Sequence, residues 1–290
     1  MNIQPTCIWD VQATLGEGVL WDARGPWVWF VDIKGRRILR CAPDGSARRT
    51  WPAPGQVGFV VPAGDGAMLC ALEDGLYRFT PEDGAFTPLA RVEADVAGNR
   101  FNDGHVDARG HLWFGSMHDA ETDASGALYR FDGAAVRTMD DGYIITNGPA
   151  CSPDGATLYH TDTLARQVYA FDVAPDGGLS GKRPFVEIVD GGYPDGMAVD
   201  AAGCLWVATF GGGRIDRFDA AGRKTGEVRF PCANVTKLAF GGADLRTVYA
   251  TTARKGLAPD ALAAQPLAGG LFTFRVETPG LPQHVLRLQE

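Results

Sequence analysis

The sequence predicts an all-β fold, a six-bladed β-propeller of four-stranded antiparallel blades that takes up residues 1–290 as one domain. Six segments, GEGVLWD, VGFVVP, NDGHVD, NGPACS, DGMAVD and TKLAFG, share a pattern in which a polar or turn residue opens a short apolar strand and a turn residue follows. In that register Glu17, Val57, Asn102, Asn147, Asp195 and Thr236 are equivalent, at spacings of 40, 45, 45, 48 and 41 residues. Propeller blades repeat at about 40 to 50 residues, and no helical segment intervenes here. In addition, 38 Gly and 18 Pro supply many tight turns, while an apolar fraction of 45% is that of a packed protein. A sandwich or a barrel does not account for the sixfold register.

Within each repeat the opening strand leads through an Asp/Gly turn into a second strand, as in DARGPWVWFVD, DARGHLWFGS, SPDGATLYHTD, DAAGCLWVAT and GGADLRTVYATT. A third strand follows, with RRILR and GLYRF in the first two repeats and GALYRFD, QVYAFD, GRIDRFD and GGLFTF in the others. This is a four-strand blade pattern. Alternation along the strands is imperfect, as expected where blades bury both faces. The N-terminal TCIWDV precedes the first repeat and is expected to supply the outermost strand of the last blade, closing the ring and covering an edge. Residues 254–269 form the one long irregular stretch, expected to be a surface insertion with a short helix at Pro259–Ala264.

A formal charge of −8 and the lack of any Lys/Arg run longer than a pair exclude a nucleic-acid footprint. No stretch approaches the roughly 18 apolar residues of a membrane span, and the N-terminus lacks the pattern of a secretory signal. The expectation is a soluble, cytoplasmic, monomeric protein whose partner is a small molecule. Cys7, Cys41, Cys70, Cys151, Cys204 and Cys232 are scattered without a CxxC pair and read as free thiols.

If each repeat is a blade, the equivalent residues crowd together where the innermost strands begin. Four of the six, Glu17, Asn102, Asn147 and Asp195, carry carboxylate or amide oxygens. Asn-Gly and Asp-Gly are also ordinary turn dipeptides, and it is the shared strand-start register that sets these apart. Carboxylates gathered around a narrow axis repel one another and resist desolvation unless a cation or a shared proton neutralises them. Oxygen donors suit Ca2+, Mg2+ or Mn2+, and an open site with few ligands also takes Fe2+ or Zn2+. Arg100 and Asp103 flank Asn102, with Arg100 placed to reach a substrate hydroxyl or carbonyl and Asp103 to orient Arg100, hold water or cap the turn. His118, in SMHDAETDASG, lies in a loop expected to overhang the channel and touch substrate. No nucleophile elbow, phosphate loop or dinucleotide fingerprint occurs.

With LGEGVLW, FVDIKGRRI, NRFNDGHVDARGHLWFGSM, ITNG, PDGMAVDAAGCLWVA and TVYATTARKGL in order along nearly the whole chain, the sequence resembles the SMP-30/gluconolactonase family. The resemblance implies a six-bladed propeller that hydrolyses aldonolactones with one divalent cation. It implies Glu17, Asn147 and Asp195 as metal ligands, Asp195 as the base, and Arg100 and Asn102 as substrate contacts; a metal-bound carboxylate is a weaker base, so a second group such as Asp103 is the alternative for that role. The loop after Met117 and the stretch YHTDT look similar to bacterial pentonolactonases such as xylonolactonase, which favours Fe2+ and a substrate such as xylonolactone or arabinonolactone. The alternatives are a non-catalytic calcium- or ligand-binding propeller and a paraoxonase-like metal-dependent esterase, the latter expected to have an apolar channel mouth where this sequence suggests a polar one.

Overall fold

The computed structural model describes residues 3–64 and 66–289, and it is a ring of six four-stranded antiparallel sheets. Blade 1 runs outward through Gly16–Asp22, Trp27–Asp32, Arg37–Cys41 and Arg49–Pro52. The innermost strands of blades 2 to 6 are Val60–Pro62, Asn99–Val106, Thr146–Cys151, Tyr193–Val199 and Val235–Gly241. Thr6–Trp9 pairs with Leu271–Arg275 as the outermost strand of blade 6, so the chain's first strand completes its last sheet as expected. The insertion after blade 6's second strand carries the predicted helix at Pro259–Ala264, with Pro at its start where no N–H is missed.

The ring is held by an apolar cluster in every gap between neighbouring blades. Met68, Cys70 and Leu72 pack toward blade 1, whereas Leu69 and Ala71, from the same strand, pack toward blade 3. Alternation therefore separates two apolar faces rather than an apolar and a polar one, which is why MLCAL reads as a continuous run. The Asp of the DARG and DAAG turns acts as a clamp. Asp107 accepts from the His111 N–H and from Trp113 Nε1, both at 2.9 Å, and Asp200 accepts from the Cys204 N–H at 3.0 Å and Trp206 Nε1 at 2.9 Å. One carboxylate thus pins the turn and the indole that fills the gap beyond it. All six cysteines are unpaired.

His160 is fully buried in blade 4, its ring edge-on to Tyr143 at 5.0 Å. Burial pushes its pKa down to about 3, against a small opposing pull from Asp140. A histidine depressed in the folded state contributes stability that is complete above its unfolded value of about 6.5 and is lost as pH falls toward the folded value. His160 therefore contributes a fall in denaturant midpoint between about pH 6.5 and pH 4, to which His105, pushed down to about 4 by burial, adds and which the raised carboxyls of Glu17 and Asp195 oppose. His160→Leu should flatten that slope, and an unchanged slope would remove His160 as its source.

Candidate functional site

Five of the six innermost strands carry an irregularity at the same place, between Glu17 and Leu20, Phe101 and Gly104, Asn147 and Ala150, Pro194 and Met197, and Val235 and Lys237. A bulge releases a residue from the ladder and re-aims its side chain. The positive φ of Gly18 (58°) and Gly148 (72°) makes these turns, a conformation that costs an L side chain and not glycine. The shared register read from sequence is the register of these bulges. Blade 2 is the exception: its inner strand begins at Val60, and the apolar Val57 ahead of it joins the core.

The bulges face a cavity of about 300 Å³ lined by Glu17, Arg100, Asn102, Asn147 and Asp195 at its floor. Leu15, Met117, Ile145, Leu164, Tyr193 and Phe210 also line it. The cavity is therefore more apolar than the sequence suggested, because these side chains come from loops and strand ends outside the repeat register. Glu121 and Lys255, from blades 3 and 6, form an ion pair between two further lining residues.

Glu17, Asn147 and Asp195 are each less than 5% exposed. Burial, followed by repulsion from Asp103, pushes Glu17 up to about 8. Burial, then Glu17 and Asp103, holds Asp195 well above the ordinary carboxylate range. Asn147 Nδ2 donates to Thr163 Oγ1 at 2.9 Å, which leaves its Oδ1 as the acceptor side, taking one hydrogen bond from Asn102 Nδ2 at 2.8 Å. Asp195 Oδ1 is buried with no hydrogen-bond partner among the described residues.

This donor set fits a divalent cation. Two carboxylates that resist ionisation because of burial and neighbouring negative charge, an amide oxygen beside them and an orphaned carboxylate oxygen are what a bound cation would satisfy. Among the described residues no group of three or more His, Cys, Asp or Glu is arranged to hold a metal, and the third donor here is an amide.

Arg100 is 2% exposed, and its charge is met by Asp119. Arg100 Nε donates to Asp119 Oδ1 at 2.7 Å, and Nη1 donates to Asn102 Oδ1 at 2.6 Å and to the Phe101 carbonyl at 3.1 Å. Asp119 in turn accepts from Lys34 Nζ at 2.5 Å and Gln56 Nε2 at 3.1 Å, tying blades 1 and 2 to blade 3. Although burial raises its pKa, these donors hold Asp119 well below the usual carboxylate range.

Two expected substrate contacts lie elsewhere. Asp103 lies outside the cavity lining, with its Oδ1 accepting from Lys237 Nζ and from the Gly104 N–H, so it caps its own turn and does not orient Arg100. His118 follows Met117 on one strand, and successive side chains point to opposite faces. Met117 lines the cavity, while the His118 ring faces Thr122 and Asp123 of its own loop. Asp119, Lys237, Glu121 and Lys255 gave no sequence signal of these roles, since each acts through a partner far away in the chain.

Residues 15–254 match the SMP-30/Gluconolactonase/LRE-like region family, and the chain belongs to that family. It is 36% identical to an L-arabinolactonase of Azospirillum brasilense over 96% of this chain and 94% of that protein. It is 34% identical to a 6-deoxy-6-sulfogluconolactonase of Pseudomonas putida over 97% of each. The crystal structure of a calcium-binding protein, regucalcin, from Agrobacterium tumefaciens superposes with a TM-score of 0.95 at 28% identity, covering 99% of this chain and 98% of that one. No helix among the described residues is long and apolar enough to cross a membrane.

Proposed function

We propose that this protein hydrolyses the lactone of a sugar acid to the free aldonic acid, with a divalent cation held by Glu17, Asn147 and Asp195. The observation that carries the reading is that those three buried side chains line one cavity, with Asp195 Oδ1 unpartnered among the described residues. The lactonase names of the two bacterial relatives support the chemistry. A cavity of about 300 Å³ is at the small end of ligand sites and suits a single sugar ring.

A cation bound there supplies Lewis acidity toward the lactone carbonyl and acidifies a neighbouring water. Asp195 accepts the proton of the attacking water, through the carboxylate oxygen that the cation does not take. Arg100, fixed by Asp119, has its Nη2 uncommitted among the described residues and directs it to a substrate oxygen. Asn102 is held between Arg100 and Asn147, so the substrate contacts and the metal donors move as one hydrogen-bonded unit. Leu15, Met117, Ile145 and Phe210 take the C–H face of the ring and exclude bulk water. Oxygen donors leave several divalent ions open, and the resemblance to pentonolactonases favours Fe2+ and a five-carbon lactone.

Proton release from fresh xylono-, arabinono-, galactono- and gluconolactone tests this, using metal-stripped protein before and after addition of Fe2+, Mn2+, Zn2+ or Ca2+. Hydrolysis above the spontaneous rate is expected only with a cation restored, and no acceleration with any of them overturns the reading. The cation should also stabilise the fold by mass action, about 2.7 kcal/mol at a hundredfold excess over Kd. A melting temperature that does not rise with added cation contradicts the site.

A further inference from the structure

Lys237 has no part in the assignments above, yet it stands at the axis. It follows Thr236 at the bulge of blade 6, is buried, and donates across the channel to Asp103 Oδ1 of blade 3. The other oxygen of Asp103 is buried without a hydrogen-bond partner among the described residues, and the carboxylate repels both Glu17 and Asp195. Three buried carboxylates and one ammonium therefore lie near one another at the channel, Glu17 and Asp195 in the cavity lining and Asp103 with Lys237 outside it. Arg100 has its own carboxylate partner in Asp119, which Lys34 shares, so this cluster is bridged separately from Lys237 and Asp103. If Lys237 cancels Asp103, two negative charges remain, on Glu17 and Asp195. A buried ion pair adds little net stability over apolar side chains of similar size, so stability alone does not account for a lysine here.

We propose that Lys237 is a built-in counter-ion: by neutralising Asp103 it fixes the charge of the metal-binding floor at minus two and gives the site its preference for divalent over trivalent cations. The inference rests on the cation reading above. It assigns Lys237 a positioning and selectivity role through charge, without contact to substrate.

A double-mutant cycle on cation binding tests it, by calorimetry on the metal-stripped full chain with Mn2+ and Tb3+ as probes. Lys237→Met, which leaves three negative charges, is expected to raise Tb3+ affinity relative to Mn2+ by at least about tenfold. Asp103→Asn, which leaves the Lys237 charge unmatched, is expected to weaken Mn2+ binding by at least about tenfold. The double variant should return both affinities to within about threefold of the unmodified protein. Opposed single effects that cancel are the signature of charge, because a merely structural pair loses affinity in both single variants. Should Lys237→Met not fold, Lys237→Gln keeps a donor toward Asp103 without the charge and should shift selectivity in the same direction. Unchanged selectivity, or losses of one sign in both single variants, overturns the counter-ion role. Failure of the unmodified protein to bind Mn2+ overturns instead the cation reading on which it rests.

Discussion

Asp195→Asn is expected to lower kcat by about 10²- to 10⁴-fold, the usual contribution of a general base, while the protein still takes up its cation with a modest loss of affinity. Asparagine keeps an oxygen for the metal and loses the ability to accept the water's proton. Glu17→Gln should behave differently. Glu17 lies buried beside Asp195 on the cavity floor, and its proposed role is to supply charge to the cation rather than to move a proton. Its replacement should cost metal and turnover together, with much of the turnover returning at high cation concentration. Calorimetric titration run beside steady-state rates separates the two residues. Wild-type turnover by Asp195→Asn would remove it as the base, and equal metal loss in both variants would leave them indistinguishable as ligands, contrary to the assignment.

Arg100→Met should raise KM by about 10- to 100-fold, because hydrogen bonds to a charged group contribute about 1.5–3 kcal/mol each. The buried guanidinium is held on two sides, by Asp119 at 2.7 Å and by Asn102 at 2.6 Å, which leaves one edge for substrate. Asp119→Asn should shift KM in the same direction by less, since it loosens the arginine without deleting it. A fall in kcat at constant KM would instead place Arg100 in transition-state stabilisation rather than in holding the substrate.

The parts of this molecule that repeat were readable from the sequence. Blade number, the strand-start register and the ring closure by TCIWDV all follow from periodic patterning and from the need to cover sheet edges, and Glu17, Asn102, Asn147 and Asp195 come to one cavity because they share that register. What was not readable depends on side chains meeting across the ring. Lys237 and Asp103 are separated by 134 positions and Lys34 and Asp119 by 85, and no local pattern marks either pair. Asp103 looked like a substrate contact because it follows Asn102, yet its ion pair with Lys237 draws it out of the cavity lining. His118 looked like one because its loop reaches the mouth, but strand geometry turns it away and puts Met117 and Glu121 there. The apolar wall was missed for a related reason: Leu15, Ile145 and Phe210 flank the bulge positions and fall outside the aligned offset.

The bulges have a consequence for how the protein comes into being. Each of the three proposed ligands is delivered by a different blade, and the seam that locks the circle joins the first strand of the chain to the last sheet, with Thr236 of blade 6 donating to the Gly16 carbonyl beside Glu17. Asn147 and Asp195 come from neighbouring blades 4 and 5, and Glu17 joins them only when blade 1 closes against the end of the chain. Cation uptake is therefore a report on completion of the whole circle, and a chain still being synthesised has no binding centre until its final strands have met its first.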